Sequence, residues 1–95
     1  MTDPVLDLDA RRRRIKVRAW RRGMREMDLI LGGFADRHLA TLREDEIAEF
    51  EKLLDESDRD VYSWISGELP IPDDANGPLL KRVIAEHTHD KPLFD

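Results

Sequence analysis

The sequence has no cysteine. That excludes disulfides, thiolate metal sites, cysteine nucleophiles and thiolate-held iron–sulfur clusters. Glycine and proline are scarce, at five each, which argues against a disordered or collagen-like chain. Apolar runs stay within a few residues, far short of the ~20 that span a bilayer, so no membrane insertion is expected. The opening stretch MTDPVLDLD holds Asp3, Asp7 and Asp9 and no basic residue. A secretory leader or a mitochondrial transit peptide would be basic there. These absences predict a soluble protein of a reducing cytosol.

What remains is short and highly charged. The 95 residues amount to 11.1 kDa, one domain at most, with 40% hydrophobic and 39% charged residues. A chain of this size buries roughly 60–70% of its unfolded surface. That supports one modest core and leaves little room for an enclosed active site. The net charge of −5 hides an asymmetry. Arg11, Arg12, Arg13, Arg14, Lys16, Arg18, Arg21, Arg22 and Arg25 follow one another with no acid between them. From Glu44 to Asp60 acids dominate, opposed only by Lys52 and Arg59. The basic block reads as a solvated helix face, as a contact for a protein partner, or as a site for nucleic-acid phosphates. The two blocks also suit pairing with each other inside one fold.

Helical periodicity dominates. Arg11 to Arg22 lacks Gly and Pro and reads as a first helix with Ile15, Ala19 and Trp20 turned inward. Gly23 interrupts it. Met27, Ile30, Leu31 and Phe34 recur at the spacing of a buried stripe on a second helix. Gly32 and Gly33 within it mark either a close helix contact or an early end. Thr41-Leu42-Arg43-Glu44 fits a capping box opening a third helix with Ile47, Phe50, Leu53 and Leu54 on its apolar face. Ser57 or Asp58 caps a short fourth helix carrying Val61, Trp64 and Ile65, stopped by Gly67. Glu68 to Asp74, with Pro70 and Pro72, reads as an extended connector. Pro78 opens a fifth helix with Leu80, Val83, Ile84 and His87 as its stripe. The expected fold is all-α, a compact bundle of about five short helices. Residues 1–10 are expected as a flexible N-terminal segment, 11–88 as the single helical domain and 89–95 as a C-terminal tail.

Candidate chemistry is thin. His87 and His89 lie two apart, on different helix faces, whereas helical zinc pairs use spacings of three or four. Surface histidines account for them and for His38. Asp55, Asp58 and Asp60 lack the glycine and the downstream glutamate of a calcium loop, and helix capping explains them better. No glycine-rich phosphate loop occurs, and Ser57, Ser63 and Ser66 have no evident His and acid arrangement. The chain is therefore not expected to be an enzyme, to bind a cofactor stably or to hold a metal.

The segment Trp20-Arg21-Arg22-Gly23-Met24-Arg25-Glu26-Met27-Asp28 stands apart. A glycine between two helices adopts positive φ readily and admits another backbone closely. The segment reads either as a helix C-cap with a local Arg–Glu pair or as an exposed recognition corner. In the second reading the bare glycine lets a partner dock while Arg22 and Glu26 set the register.

Arg22-Gly23-Met24-Arg25-Glu26 resembles the R-G-x-x-E motif of the succinate dehydrogenase flavinylation factors, called succinate dehydrogenase assembly factor 2 in mitochondria. The resemblance runs over roughly residues 11–87. It takes in the Arg-rich first helix, Leu-Ile-Leu-Gly-Gly-Phe at 29–34, Glu46 with Phe50-Glu51-Lys52-Leu53-Leu54, and Asp58-Arg59-Asp60-Val61-Tyr62-Ser63-Trp64-Ile65. It implies a five-helix bundle that binds the flavoprotein subunit of succinate dehydrogenase, and in some bacteria that of fumarate reductase. It further implies a chaperone-like role: the chain promotes covalent attachment of FAD, which the partner holds, to a histidine of that partner. Matched to the motif, Arg22, Gly23 and Glu26 become the partner-binding residues. Arg21 and Asp28 join them by adjacency. With no transit peptide, a bacterial, cytoplasmic member is expected. The competing expectation is a small nucleic-acid-binding or antitoxin-like regulator acting through the basic first helix.

Overall fold

The computed structural model describes residues 4–89, with side chains from 8 to 87. Five α-helices follow one another: α1 (Pro4–Trp20), α2 (Arg25–His38), α3 (Glu44–Leu54), α4 (Asp58–Ile65) and α5 (Pro78–His89). Short 3₁₀ turns lie at Leu39–Thr41 and Asp73–Ala75. Among the described residues there is no strand, and the all-α bundle expected from periodicity is the fold that forms.

α1 begins seven residues before the expected Arg11 and ends two before Arg22. Residues 4–10, read from sequence as a leading segment outside the domain, are thus helical. Pro4 suits a first turn, because its missing N–H has no intrahelical acceptor there and its φ is preset. Leu8 continues the inward face of Ile15 and Ala19 and packs on the core. The expected tail lies, from residue 90 on, outside the described residues.

α1 packs on α2 and α3, and α5 packs on α2, α3 and α4. Phe34 and Phe50 meet edge to face at 5.9 Å between ring centroids in the middle of the core. Ile15, Met27, Leu31, Ile47, Val61, Leu80 and Val83 are fully buried with them. Each such side chain contributes about 1.5–3 kcal/mol by leaving water. Leu79, absent from the expected α5 stripe, is also fully buried.

Two local readings change. Trp20 is not a core residue; it keeps 37% of its surface exposed and lies flat over Gly32. An added Cβ on Gly32 would stand 2.5 Å from Trp20 Cε2, so the glycine is the seat of the indole. Trp20 Nε1 then donates to Asp36 Oδ1 at 3.2 Å. The capping box at α3 also shifts by two residues. Arg43 is the N-cap, and Glu46 Oε1 accepts from its backbone N–H at 2.8 Å. Thr41 instead closes the 3₁₀ turn by donating to the His38 carbonyl. The extra turn exists because Leu39 and Leu42 both reach the core. α4 is capped as expected, with Ser57 Oγ accepting from Asp60 N–H at 3.2 Å. Gly67, at φ +83°, ends the helix.

Candidate functional site

The end of α1 and the start of α2 meet at residues 21–24. Gly23 sits there at φ +92°. Only glycine takes such a backbone without strain. Met24 is extended (φ −120°, ψ 119°) and its carbonyl accepts from Asp28 N–H at 2.9 Å, opening α2. Nothing lies within 4 Å of where a Gly23 Cβ would stand, so the corner faces open space. Glu26 and Asp28 occupy the first turn of α2, where the helix dipole favours negative charge.

The five residues expected at this site divide into two sets. Arg21, Gly23 and Glu26 are exposed, and among the described residues no hydrogen bond or ion pair holds the Arg21 or Glu26 side chain. Arg25 shares that condition. Arg22 and Asp28 point into the fold. Asp28 Oδ1 accepts from the Arg22 backbone N–H at 2.7 Å. The Arg22 guanidinium reaches the junction of α3 and α4. Its Nε donates to Asp58 Oδ1 at 2.7 Å, Nη1 to the Leu54 carbonyl at 2.7 Å and Nη2 to the Glu56 carbonyl at 2.8 Å. The Arg22 side chain is only 11% exposed and that of Asp58 19%. The local Arg–Glu pair of the C-cap reading is not seen between Arg22 and Glu26. Asp58, 36 residues away, takes that place. By local pattern Asp58 reads as a helix cap. Its place in the 58–65 stretch of the family resemblance is the signal that singles it out.

The basic and acidic blocks do pair, in part. Arg11 makes a two-point contact with Glu51, Nε at 3.0 Å and Nη2 at 2.8 Å. Arg18 reaches Asp55 at 2.8 Å. Arg12 donates to the carbonyls of Leu39 and Leu42, at 3.2 and 2.8 Å, and so closes the 3₁₀ turn beneath α1. Arg13, Arg14 and Lys16 face outward. The basic block is therefore divided between internal pairing and a solvent-facing stripe that leads to the Gly23 corner.

Elsewhere the polar groups are structural. Glu49, on α3, caps α5 from the side, accepting from Leu79 and Leu80 N–H at 3.1 Å each. Gly77 is small for this reason: an added Cβ would lie 2.6 Å from Glu49 Cδ. An open cleft of about 280 Å³ beside it is lined by Ala48, Glu49, Lys52, Leu53, Glu56, Asp74, Ala75 and Gly77, and the half-buried Glu49 carboxylate there is already engaged. His38 and Arg37 of α2 both contact Glu86 of α5. Burial raises the Glu86 carboxyl, but hydrogen bonds from Arg37 and His38 outweigh it and hold the group below its ordinary 4.5. Among the described residues no three His, Asp or Glu side chains gather as metal ligands, and no helix is long and apolar enough to cross a membrane.

Residues 13–87 match the family described as flavinator of succinate dehydrogenase. The chain is 36% identical over 80 residues to the FAD assembly factor SdhE of Acetobacter pasteurianus, covering 84% of this chain and 73% of that one. It is 40% identical over 80 residues to the mitochondrial succinate dehydrogenase assembly factor 2 of Saccharomyces cerevisiae, where it spans 49% of the longer protein. The corresponding protein of Dictyostelium discoideum is 27% identical over 93 residues, again with only 65% of its length covered. The match begins within the Arg-rich helix, contains the whole Gly23 corner and reaches into α5. This chain therefore belongs to the flavinator of succinate dehydrogenase family.

Proposed function

We propose that the chain is a FAD assembly factor that docks on the flavoprotein subunit of succinate dehydrogenase through the Gly23 corner and promotes covalent attachment of FAD there. The observation that carries the docking site is the corner itself. It is a positive-φ glycine facing open space, flanked by Arg21, Arg25 and Glu26 with no internal partner among the described residues. A partner backbone approaches such a point closely, and the three charges set its register.

The chemistry belongs to the client. Attachment joins the ring methyl of FAD to an imidazole nitrogen: the methyl C–H and the imidazole N–H each give up a proton, and the electron pair passes into the flavin ring, whose negative charge must be stabilised and which an external oxidant then restores. The cofactor supplies that reactivity. A helper acts by holding the flavoprotein in the geometry that brings methyl and imidazole together. It favours whichever conformer it binds more tightly. No catalytic residue on this chain is required, and we read it as a chaperone-like factor rather than an enzyme. Internal pairing turns Arg11, Arg12 and Arg22 into the fold, which favours this reading over a nucleic-acid one.

The test is co-expression with the succinate dehydrogenase flavoprotein subunit of the same organism, reading covalent FAD by in-gel fluorescence. Covalent FAD should rise when the chain is present. Equal labelling with and without the chain overturns the proposal. A parallel arm with a fumarate reductase flavoprotein asks whether that protein is a second client.

A further inference from the structure

We propose that Arg22 and Asp58 form a positioning clamp. Arg22 locks the α1–α2 corner to the α3–α4 corner, and the charges that meet the flavoprotein come from Arg21, Arg25 and Glu26. The inference rests on the docking site named under the proposed function. It assigns the arginine of the motif a role inside the chain, and brings in Asp58 as its partner.

Two of the sequence stretches that carry the family resemblance, 22–26 and 58–65, are joined by this pair. All three guanidinium nitrogens are engaged at 2.7–2.8 Å. Two of the acceptors are carbonyls at the α3–α4 junction: Leu54, the last residue of α3, where helix carbonyls lack intrahelical partners and carry partial negative charge, and Glu56, two residues beyond it. The third is the first residue of α4. One planar group thus ends α3, anchors the start of α4 and ties both to α1. Asp28 holds the same residue by its backbone N–H, so the chain entering Gly23 is fixed from two sides. With 11% of its side chain exposed, Arg22 offers a partner little surface.

The fork geometry makes the role specific. A lysine ammonium is a point charge on a flexible stem and does not reach one carboxylate and two divergent carbonyls in a plane. Arg22→Lys therefore fails to replace Arg22 in a clamp, although it would keep much of a simple charge contact with a partner carboxylate. Asp58→Asn keeps the shape of the acceptor and removes its charge, at a position the docking surface does not include.

The experiment combines titration with amide spectra. Parent, Arg22→Lys, Asp58→Asn and the double variant are titrated with the flavoprotein subunit. Glu86→Gln, which loosens the α2–α5 contact away from the corner, serves as a control for general loss of stability. The clamp predicts that both single variants bind roughly 2- to 30-fold more weakly, as for residues that act on a site without touching its ligand. It also predicts that the double variant is no worse than the weaker single, because the two residues act as one unit, and that Glu86→Gln binds like the parent. Parent-like binding by Asp58→Asn beside a weakened Arg22→Lys, strictly additive losses, or an equal loss in Glu86→Gln overturns it. The free chain gives an independent reading through the Gly23 and Glu26 amide resonances. They should shift in Asp58→Asn, and resonances that stay in place overturn the clamp. If the parent itself fails to bind the subunit, the proposed function falls, and these free-chain spectra still decide the clamp.

Discussion

Replacing Gly23 with Ala and with Arg separates backbone strain from bulk at the corner. At φ +92° an L-residue is strained by about 1–2 kcal/mol. Part of that is offset because a residue with a side chain loses less freedom on folding than glycine, by roughly 0.4–1 kcal/mol. No packing term enters, since nothing lies within 4 Å of the added Cβ. The net destabilisation is therefore about 1 kcal/mol for either variant, which lowers the melting temperature by roughly 4–8 °C in a domain of this size. Function should divide them. Gly23→Ala adds one methyl and should retain most flavoprotein binding and FAD attachment. Gly23→Arg projects a long side chain across the approach surface and should abolish both while remaining helical. The measurements are thermal melts followed by circular dichroism, pull-down of the flavoprotein subunit, and in-gel flavin fluorescence. A Gly23→Ala protein that melts at or above the parent refutes the left-handed backbone. A folded Gly23→Arg protein that binds like the parent refutes the docking assignment.

Trp64, in the last turn of α4, is 8% exposed. Trp64→Ala should destabilise the chain by about 3–5 kcal/mol, seen in chemical denaturation, and a near-parental midpoint would place the indole outside the core. Gly32→Ala gains about 1 kcal/mol of helix propensity but collides with the Trp20 ring, an overpacking of about 1–3 kcal/mol. It should melt below the parent, and Trp20→Ala added to it should recover the difference; a double variant no more stable than Gly32→Ala alone would argue against that contact. The Glu86 carboxyl lies below its ordinary 4.5 because hydrogen bonds from Arg37 and His38 outweigh burial. Its ionised form favours the folded chain, so this contribution is full above the ordinary value and disappears as pH falls through the lowered one. Glu86→Gln should flatten the acid limb of the melting-temperature profile, and an unchanged limb would show that Glu86 does not contribute to it.

The sequence alone determined the helices, because their information is local. Spacings of three and four define the stripes of α2, α3 and α4, Ser57 caps a helix and Gly67 ends one, and each signal lies within one or two turns. It also located the corner, since glycine between a basic helix and an acidic first turn is a local pattern. Where two elements compete for one residue, local reasoning erred. Thr41 has the chemistry of a helix cap, yet burial of Leu39 and Leu42 draws it into a 3₁₀ turn and passes the cap to Arg43. Pro4 and Leu8 gave a weaker signal than the arginines after them, so α1 was read too short. Trp20 has the composition of a core residue, and only the empty face of Gly32 on the neighbouring helix gives it a seat at the surface.

Tertiary structure alone decided which charges are free. Within a run of nine basic residues, nothing local tells which side chains pair inside the fold and which stay in solvent. The bundle brings Glu51 to Arg11 and brings Asp58 with the Leu54 and Glu56 carbonyls to Arg22, and leaves Arg25 in solvent. An ion pair between residues tens of positions apart depends on how helices pack, and packing follows from the apolar stripes rather than from the charges themselves. The motif R-G-x-x-E was therefore legible as a place. The division of labour within it, an arginine that faces inward and a glycine and glutamate that face out, came only from the fold.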